Sequence, residues 1–311
     1  MKSESTLQTI SHPLFEKNQL HVSIKRDDSI NPIISGNKWR KLKFNLEFAK
    51  KNNYAGVISF GGSFSNHIHA LAYACQQQGL KSIGIIRGEK EYANNFTLSM
   101  AQKWGIKLHF VDRKTYRLRE DQEYLAELQK SYPEYMIVPE GGSNTLALTG
   151  VGEVITELNQ QCEFDTLLTP VGSGGTLAGL IKADINQHKL IGIAVLKQKD
   201  YLAEHVNTLL ENSSSYSNWK IMSQFHRGGY AKFSKEDAQK ILIFNQQTGF
   251  TFEPVYSGKM ILALLELIEQ QYFPKGHRIV ILHTGGLQGI GGLIERNLLN
   301  ADDWIMPKLK S

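Results

Sequence analysis

Lys38 follows Gly36-Asn37 and precedes a run in which Trp39, Leu42, Leu46 and Ala49 fall on one face, so it stands at the mouth of an amphipathic helix. A lysine there lies beside backbone N–H groups that attract anions. If desolvated or crowded by other cations, its amine loses its proton more easily and becomes a nucleophile toward a carbonyl. Arg26, Arg40 and Lys41 lie close by in the chain. In isolation such a lysine reads first as a surface residue, exposure being its usual state. Gly172-Ser173-Gly174-Gly175-Thr176 has the form of a phosphate cradle, with successive N–H groups, two hydroxyls and a helix start behind them. It lacks the Gly-Lys-Ser/Thr of a nucleotide P-loop. Its third glycine is misplaced for Gly-x-Gly-x-x-Gly, which disfavours a dinucleotide. The bland alternative is a plain strand–helix turn.

Ser63-Phe64-Ser65-Asn66-His67 opens another helix. Ser65 or Asn66 could be a helix cap and nothing more. On a functional reading, Ser65 is a hydroxyl near a reacting substrate and Asn66 bonds a cofactor. His67 and His69 are two residues apart, so on a helix they face differently and would not share a metal. Tyr256, just before a third helix, is either a core tyrosine or a phenol poised for proton transfer. The second role calls for nearby cations to lower its pKa. Thr284 ends the last apolar strand, as a satisfied strand hydroxyl or as a partner for a ring nitrogen.

These residues need elements to position them. Apolar runs at 54–60, 81–86, 107–111 and 135–138 alternate with helical patterns at 65–78, 95–104 and 119–131. Beyond them, helices at 146–160, 202–210, 234–248 and 257–270, and one from the 172–176 loop to about 187, alternate with strands at 165–169, 190–196 and 278–282. Ser234 with Asp237 forms a capping-box start. Residues 1–20 read as a mixed arm and 212–218 as a Ser-rich loop. Such β–α alternation with apolar strands implies a mostly parallel sheet covered on both faces. Gly-Gly turns after residues 60, 140, 173 and 284 each follow a strand. Ligands bind at the carboxyl ends of parallel strands, so four such turns at one sheet edge suit a flat, anionic ligand.

The chain has 311 residues and a formal net charge of +5, without a basic block that would suit nucleic acid. It is long enough for one large domain or two smaller ones. Cys75 and Cys162 read as buried free thiols, and no Cys/His cluster has zinc spacing. The N-terminus lacks a long apolar stretch and no run of 18 apolar residues occurs, so a cytoplasmic, non-membrane protein is expected.

Lys25-Arg26-Asp27-Asp28, Gly36-Asn37-Lys38-x-Arg40-Lys41-Leu42, Gly61-Gly62-x-x-Ser65-Asn66-His67, Gly141-Gly142-Ser143, the 172–176 loop, Pro254-Val255-Tyr256-x-Gly258-Lys259 and His283-Thr284-Gly285-Gly286 occur in one order. Over roughly residues 10 to 300 this set resembles the 1-aminocyclopropane-1-carboxylate (ACC) deaminase and D-cysteine desulfhydrase family. The resemblance implies pyridoxal 5′-phosphate (PLP) and the tryptophan-synthase-β-like fold type II, an α/β fold of two open, mostly parallel twisted sheets covered by helices. It implies a large domain from 1–42 and 151–311, a small one inserted at 43–150, and a homodimer. By the same resemblance Lys38 is the Schiff-base lysine and Asn66 the partner of the cofactor's phenolic oxygen. Ser173, Gly174, Gly175 and Thr176 are its phosphate loop, with Thr284 at its ring. Ser65, Asn66, His67, Gly142, Tyr230 and Tyr256 meet a small amino-acid substrate.

ACC deaminases carry a glutamate where this chain has Ser257 and a leucine where it has Thr284. D-cysteine desulfhydrases carry a hydroxyl residue and a threonine. A hydroxyl at the ring nitrogen leaves PLP a weaker electron sink, adequate for β-elimination. The resemblance therefore leans toward a desulfhydrase, with ACC deamination, β-replacement or racemisation as alternatives within the enzymes. A PLP or amino-acid binder without turnover, or a bare phosphate-ligand protein, is the reading from another class. Phe64 departs from the family's usual glutamine and is expected to alter the pocket wall.

Overall fold

The computed structural model describes residues 4–31, 33–34, 36–197 and 199–304. Ser35, at the head of the Lys38 stretch, and the first three residues of the N-terminal arm lie outside the described residues. The chain opens with strand β1 (Leu7–Thr9), helix α1 (Pro13–Lys17), strand β2 (His21–Lys25) and helix α2 (Asn37–Lys51). There follow β3 (Gly56–Gly62), α3 (Asn66–Gln78), β4 (Lys81–Arg87), α4 (Phe96–Lys103), β5 (Lys107–Val111), α5 (Arg113–Arg117), α6 (Gln122–Ser131) and β6 (Tyr135–Ile137). The last part runs α7 (Thr145–Gln161), β7 (Thr166–Val171), α8 (Gly175–Asp184), β8 (Lys189–Ala194), α9 (Lys199–Leu209) and β9 (Trp219–Met222). It ends with α10 (Lys235–Thr248), α11 (Ser257–Glu269), β10 (Arg278–Leu282) and α12 (Gly289–Glu295).

Two sheets form. The first has the order β1-β2-β10-β7-β8-β9, the second β5-β4-β3-β6. Every pairing is parallel except β1 with β2. The four glycine turns therefore do not share one sheet edge. Those after β3 and β6 belong to the four-stranded sheet, and those after β7 and β10 to the six-stranded sheet. Strand periodicity marks where a strand ends; it is blind to which sheet the strand joins. Further elements escape the pattern. The arm at 1–20 contains β1 and α1, the Ser-rich loop leads into β9, and α12 follows the last glycine turn. The helix expected at 119–131 begins at Gln122, where the Asp121 side chain accepts from Tyr124 N at 3.0 Å.

Leu42, Leu46 and Ala49 of α2 are buried with Val57 of β3 and Leu71 of α3, so the apolar face of the Lys38 helix rests on the four-stranded sheet. Its other side meets α7 so closely that a Cβ at Gly150 would stand 2.1 Å from Arg40 O. Ser65 caps α3, and the predicted Ser234–Asp237 capping box is formed. Cys75 is buried and Cys162 half-buried at the end of α7, both as free thiols. Among the described residues no helix is long and apolar enough to cross a membrane, and no cluster of His, Cys, Asp or Glu could hold a metal.

A buried ionic network locks the start of α2. Arg40 Nε and Nη2 each lie 2.8 Å from an Asp27 oxygen, and Nη1 and Nη2 lie 2.8 and 2.9 Å from the Glu157 carboxylate on α7. Lys25 Nζ approaches Glu157 at 2.6 Å, and Ser5 Oγ donates to Asp27 at 2.7 Å. Two cations face two carboxylates, so the network is neutral and saturated, the condition under which buried charge is tolerated.

His69, on α3, is buried edge-on to Trp104 with centroids 4.7 Å apart, and neither ring nitrogen has a partner among the described residues. Burial lowers its pKa to about 4. The unfolded chain, with a histidine near 6.5, therefore binds the proton more readily than the fold does. Stability from this site is complete above about pH 6.5 and falls by about 3 kcal/mol as the pH approaches 4. Urea unfolding of the wild type and of His69→Phe across that range should show a shallower acid loss in the variant. Parallel pH curves for the two proteins would remove His69 as the cause.

Candidate active site

The turns of the two sheets line a cleft of about 1330 Å³. Lys38 enters it because Gly36 turns the chain in the left-handed region, at φ 75°, hard against the end of β10. A Cβ on Gly36 would fall 1.7 Å from Thr284 O, so only glycine fits. Asn37 N donates to Thr284 O at 3.3 Å, and Asn37 Nδ2 donates to Thr176 Oγ1 at 2.7 Å. The helix start is thereby fastened to both the last strand and the 172–176 loop. Lys38 Nζ lies 3.4 Å from Gly141 O. Burial draws its pKa down to about 8, against the opposing pull of Glu140.

Lys41, one turn on, is the site residue that the sequence registered only as a nearby cation. It is 1% exposed, and its Nζ donates to Ser143 Oγ at 3.0 Å and to Gly141 O and Ser173 Oγ at 3.4 Å. Among the described residues it makes no ion pair. Burial, then the charge of Lys38, depress its pKa well below the ordinary lysine value. The spacing of three residues was the available signal, since it sets both amines on one helix face. Ser173 Oγ and Ser143 Oγ are 2.8 Å apart. Gly174, at φ 74°, precedes the first turn of α8, which begins at Gly175. The loop therefore sets a helix N-terminus beside the buried amine of Lys41.

Ser65 Oγ accepts from Ile68 N at 3.3 Å, so the cap reading holds, while the residue also lines the cleft. Asn66 begins α3, its Nδ2 beside Gly286. His67 is buried: its Nε2 pairs with Ser59 Oγ at 2.8 Å, and its Nδ1 has no partner among the described residues. Burial and the two lysines push its pKa well down, so the ring is neutral. Gly141 lines the cleft. Gly142 sits behind it, where a Cβ would meet the His67 ring at 3.2 Å.

Tyr256 and Tyr230 meet edge-on with ring centroids 5.7 Å apart. The cations expected to lower the pKa of Tyr256 are not among its neighbours. Burial, Tyr230 and the carboxylates Glu253 and Glu140 raise it well above the ordinary value, so Tyr256 is a neutral phenol. Ser257 is likewise not a cleft residue. Its Oγ donates to Glu253 Oε1 and accepts from Glu253 N, both at 3.1 Å, and it is fully buried. Glu253, which the sequence did not mark, caps α11 by accepting from the N–H groups of Val255, Tyr256 and Ser257 at 2.7, 2.9 and 2.7 Å. Burial lifts its pKa to about 7.

Thr284 is thus the hydroxyl on the cleft wall beyond β10. His283 behind it accepts from Gly285 N at Nδ1 (3.2 Å) and reaches Thr251 O with Nε2 (2.7 Å), which requires the neutral, Nε2-protonated ring. Phe64 lines an adjoining hollow of about 1000 Å³ rather than the deep cleft. The Arg296 guanidinium stands 5.3 Å from its ring, and Tyr92 lies edge-on at 6.3 Å.

The model of the pyridoxal-phosphate dependent enzyme family matches residues 7–285. The chain belongs to this family. A protein of Pyrococcus abyssi provisionally named a 1-aminocyclopropane-1-carboxylate deaminase is 31% identical over 283 residues, covering 86% of this chain and 85% of its own. The bifunctional D-cysteine desulfhydrase/1-aminocyclopropane-1-carboxylate deaminase of Arabidopsis thaliana mitochondria is 29% identical, over 90% of this chain and 76% of that one. A crystal structure described as an ACC deaminase homologue superposes with a TM-score of 0.82 at 28% identity, covering 95% and 94% of the two chains.

The chain is therefore a PLP-dependent enzyme of the tryptophan-synthase-β-like fold type II. Its cleft fits the cofactor on chemical grounds. A phosphate dianion answers a buried lysine that has no ion pair among the described residues, whose depressed pKa an anion would raise, together with a helix N-terminus and two serine hydroxyls. A carbonyl answers a second amine whose pKa is near 8.

Proposed function

We propose that this PLP-dependent lyase eliminates the β-substituent of a small amino acid, D-cysteine first, giving pyruvate, hydrogen sulfide and ammonia. The observation that carries the reading is the wall beyond β10. Among the described residues it presents Thr284 and no carboxylate, while Ser257 is turned onto Glu253. A carboxylate at that wall would favour a protonated ring and deeper carbanion delocalisation than β-elimination needs. The names of the relatives support both D-cysteine desulfhydration and the alternative, ACC deamination to 2-oxobutanoate and ammonia.

In this reading Lys38 holds the carbonyl end of the cofactor. Ser173, Gly174, Gly175 and Thr176 hold its phosphate, with Lys41 as counter-ion, and Asn66 and Thr284 meet the ring. When bound, PLP supplies an electron sink for the Cα carbanion. Bringing the Lys38 amine from 10.5 to about 8 multiplies its free-base fraction at neutral pH roughly several-hundred-fold, which suits it to take the Cα proton. Tyr256, a neutral phenol edge-on to Tyr230, is suited to hydrogen-bond the departing thiolate instead. Ser65, Asn66 and His67, which line the cleft, meet the substrate carboxylate, with Gly142 backing the His67 ring.

Pyruvate released from D-cysteine, with little from L-cysteine and no 2-oxobutanoate from ACC, is the expected pattern. 2-Oxobutanoate from ACC without pyruvate from D-cysteine would reverse the assignment. Lys41→Met should weaken PLP binding about 10- to 100-fold, since a charge-assisted contact to phosphate is lost. Titration of the visible cofactor band measures it, and unchanged affinity would take Lys41 out of the phosphate site. The reading carries with it a homodimer, a cytoplasmic location and the domain division 1–42 plus 151–311 with 43–150 inserted. The sheet memberships of β1–β2, β3–β6 and β7–β10 support the division, and light scattering tests the dimer.

A further inference from the structure

Lys259 lies in the first turn of α11, three residues after Tyr256, and is fully buried. Its Nζ donates to three main-chain carbonyls, Gly229 O at 2.6 Å, His226 O at 2.9 Å and Val195 O at 3.4 Å. Among the described residues it makes no ion pair. Carbonyl dipoles converging on a desolvated cation are how a main chain binds a monovalent ion, the oxygens replacing its water shell.

Two of the three carbonyls belong to the turn 226–231, and that turn needs support. Arg227, Gly228, Gly229 and Ala231 have φ of 51°, 87°, 107° and 54°. Two of these are not glycine, so the conformation is held by its surroundings rather than by its own preference. The holding contacts come largely from α11: Lys259 binds the carbonyls, and Glu266 pairs with the Arg227 guanidinium. What the turn delivers is Tyr230, set edge-on to Tyr256 at the N-cap of the same helix.

We propose that Lys259 is a positioning residue whose ammonium acts as a built-in monovalent cation, ordering the 226–231 turn and setting Tyr230 against Tyr256. This deepens the proposed function, because it rests on those two tyrosines facing the substrate. Glu253 and Asp237 favour the charge and Arg227 opposes it, while burial brings the pKa down to about 8. At pH 7 the group is still a cation, and the test is set there.

Lys259→Ala empties the carbonyl cage. In the PLP-loaded protein at pH 7, with choline as the only added cation, trypsin should cut after Arg227 and Lys232 about tenfold faster than in the wild type, because cleavage follows the opened population. Turnover should fall in kcat more than in KM. Excess potassium or ammonium chloride should restore both trypsin resistance and kcat in Lys259→Ala, leaving the wild type unchanged. Lys259→Met, which fills the cage with an apolar chain, should show the defect without the rescue. Its effect on kcat should largely vanish in a Tyr230→Phe background, as expected of two residues acting through one path. Wild-type trypsin resistance in Lys259→Ala, absence of rescue in that folded variant, additive effects with Tyr230→Phe, or potassium activation of the wild type would each overturn the proposal. The proteolysis arm needs no substrate, so a wrong substrate silences only the kinetic arm and the two failures stay distinct.

Discussion

Lys38→Ala should abolish the visible band of the lysine-bound cofactor and lower pyruvate formation by roughly three orders of magnitude or more, the scale seen when a covalent-catalysis residue is removed. The obvious substitute stands nearby, since Lys41 Nζ shares the carbonyl of Gly141 with Lys38, each at 3.4 Å. It is not free to take over. Its Nζ is held by Ser143 Oγ at 3.0 Å and by Ser173 Oγ beside the start of α8. Reaching the cofactor's carbonyl would strip the loop of its cation. The measurement is an absorption spectrum with added PLP, followed by a pyruvate assay. Full activity in Lys38→Ala would remove the residue from the chemistry altogether.

Arg40→Ala is expected to be the most damaging change outside the cleft. Arg40 is 1% exposed and neutralises both Asp27 and Glu157. Truncating it leaves two buried carboxylates with only Lys25 between them, and breaking a buried pair in this way costs about 3–5 kcal/mol. The effect should appear as a lowered midpoint in urea at unchanged slope. It should be largest near neutral pH and shrink in acid, where the orphaned carboxylates take up protons. Changing the whole set to apolar residues of like volume should cost far less, because no charge is then left unpaired. An Arg40→Ala midpoint within experimental error of the wild type would show that water reaches the network.

Much of the fold was legible because it is written locally. The strands 107–111 and 278–282, the Ser65 cap and the Ser234 capping box each depend on a few adjacent residues. Lys38 could be picked out for the same reason, as glycine, asparagine and a following amphipathic face already place an amine at a helix mouth. The 172–176 loop and Asn66 were marked by the glycines and caps around them.

What only the tertiary structure decided are the relations between distant segments. Strand β2, at 21–25, pairs with β10, at 278–282, and so brings Thr284 to the amide of Asn37. No local signal encodes that register, which follows from burying apolar faces of both strands together. The same packing split four alike glycine turns between two sheets, turned Ser257 away from the cleft onto Glu253, and left Tyr256 a phenol of raised pKa. It also gave Lys41 and Lys259 their meaning. In the sequence both are lysines like any other; in the fold each is a buried amine held by hydroxyls or carbonyls, with no ion pair among the described residues, because desolvation and partner choice are set by what the chain folds against.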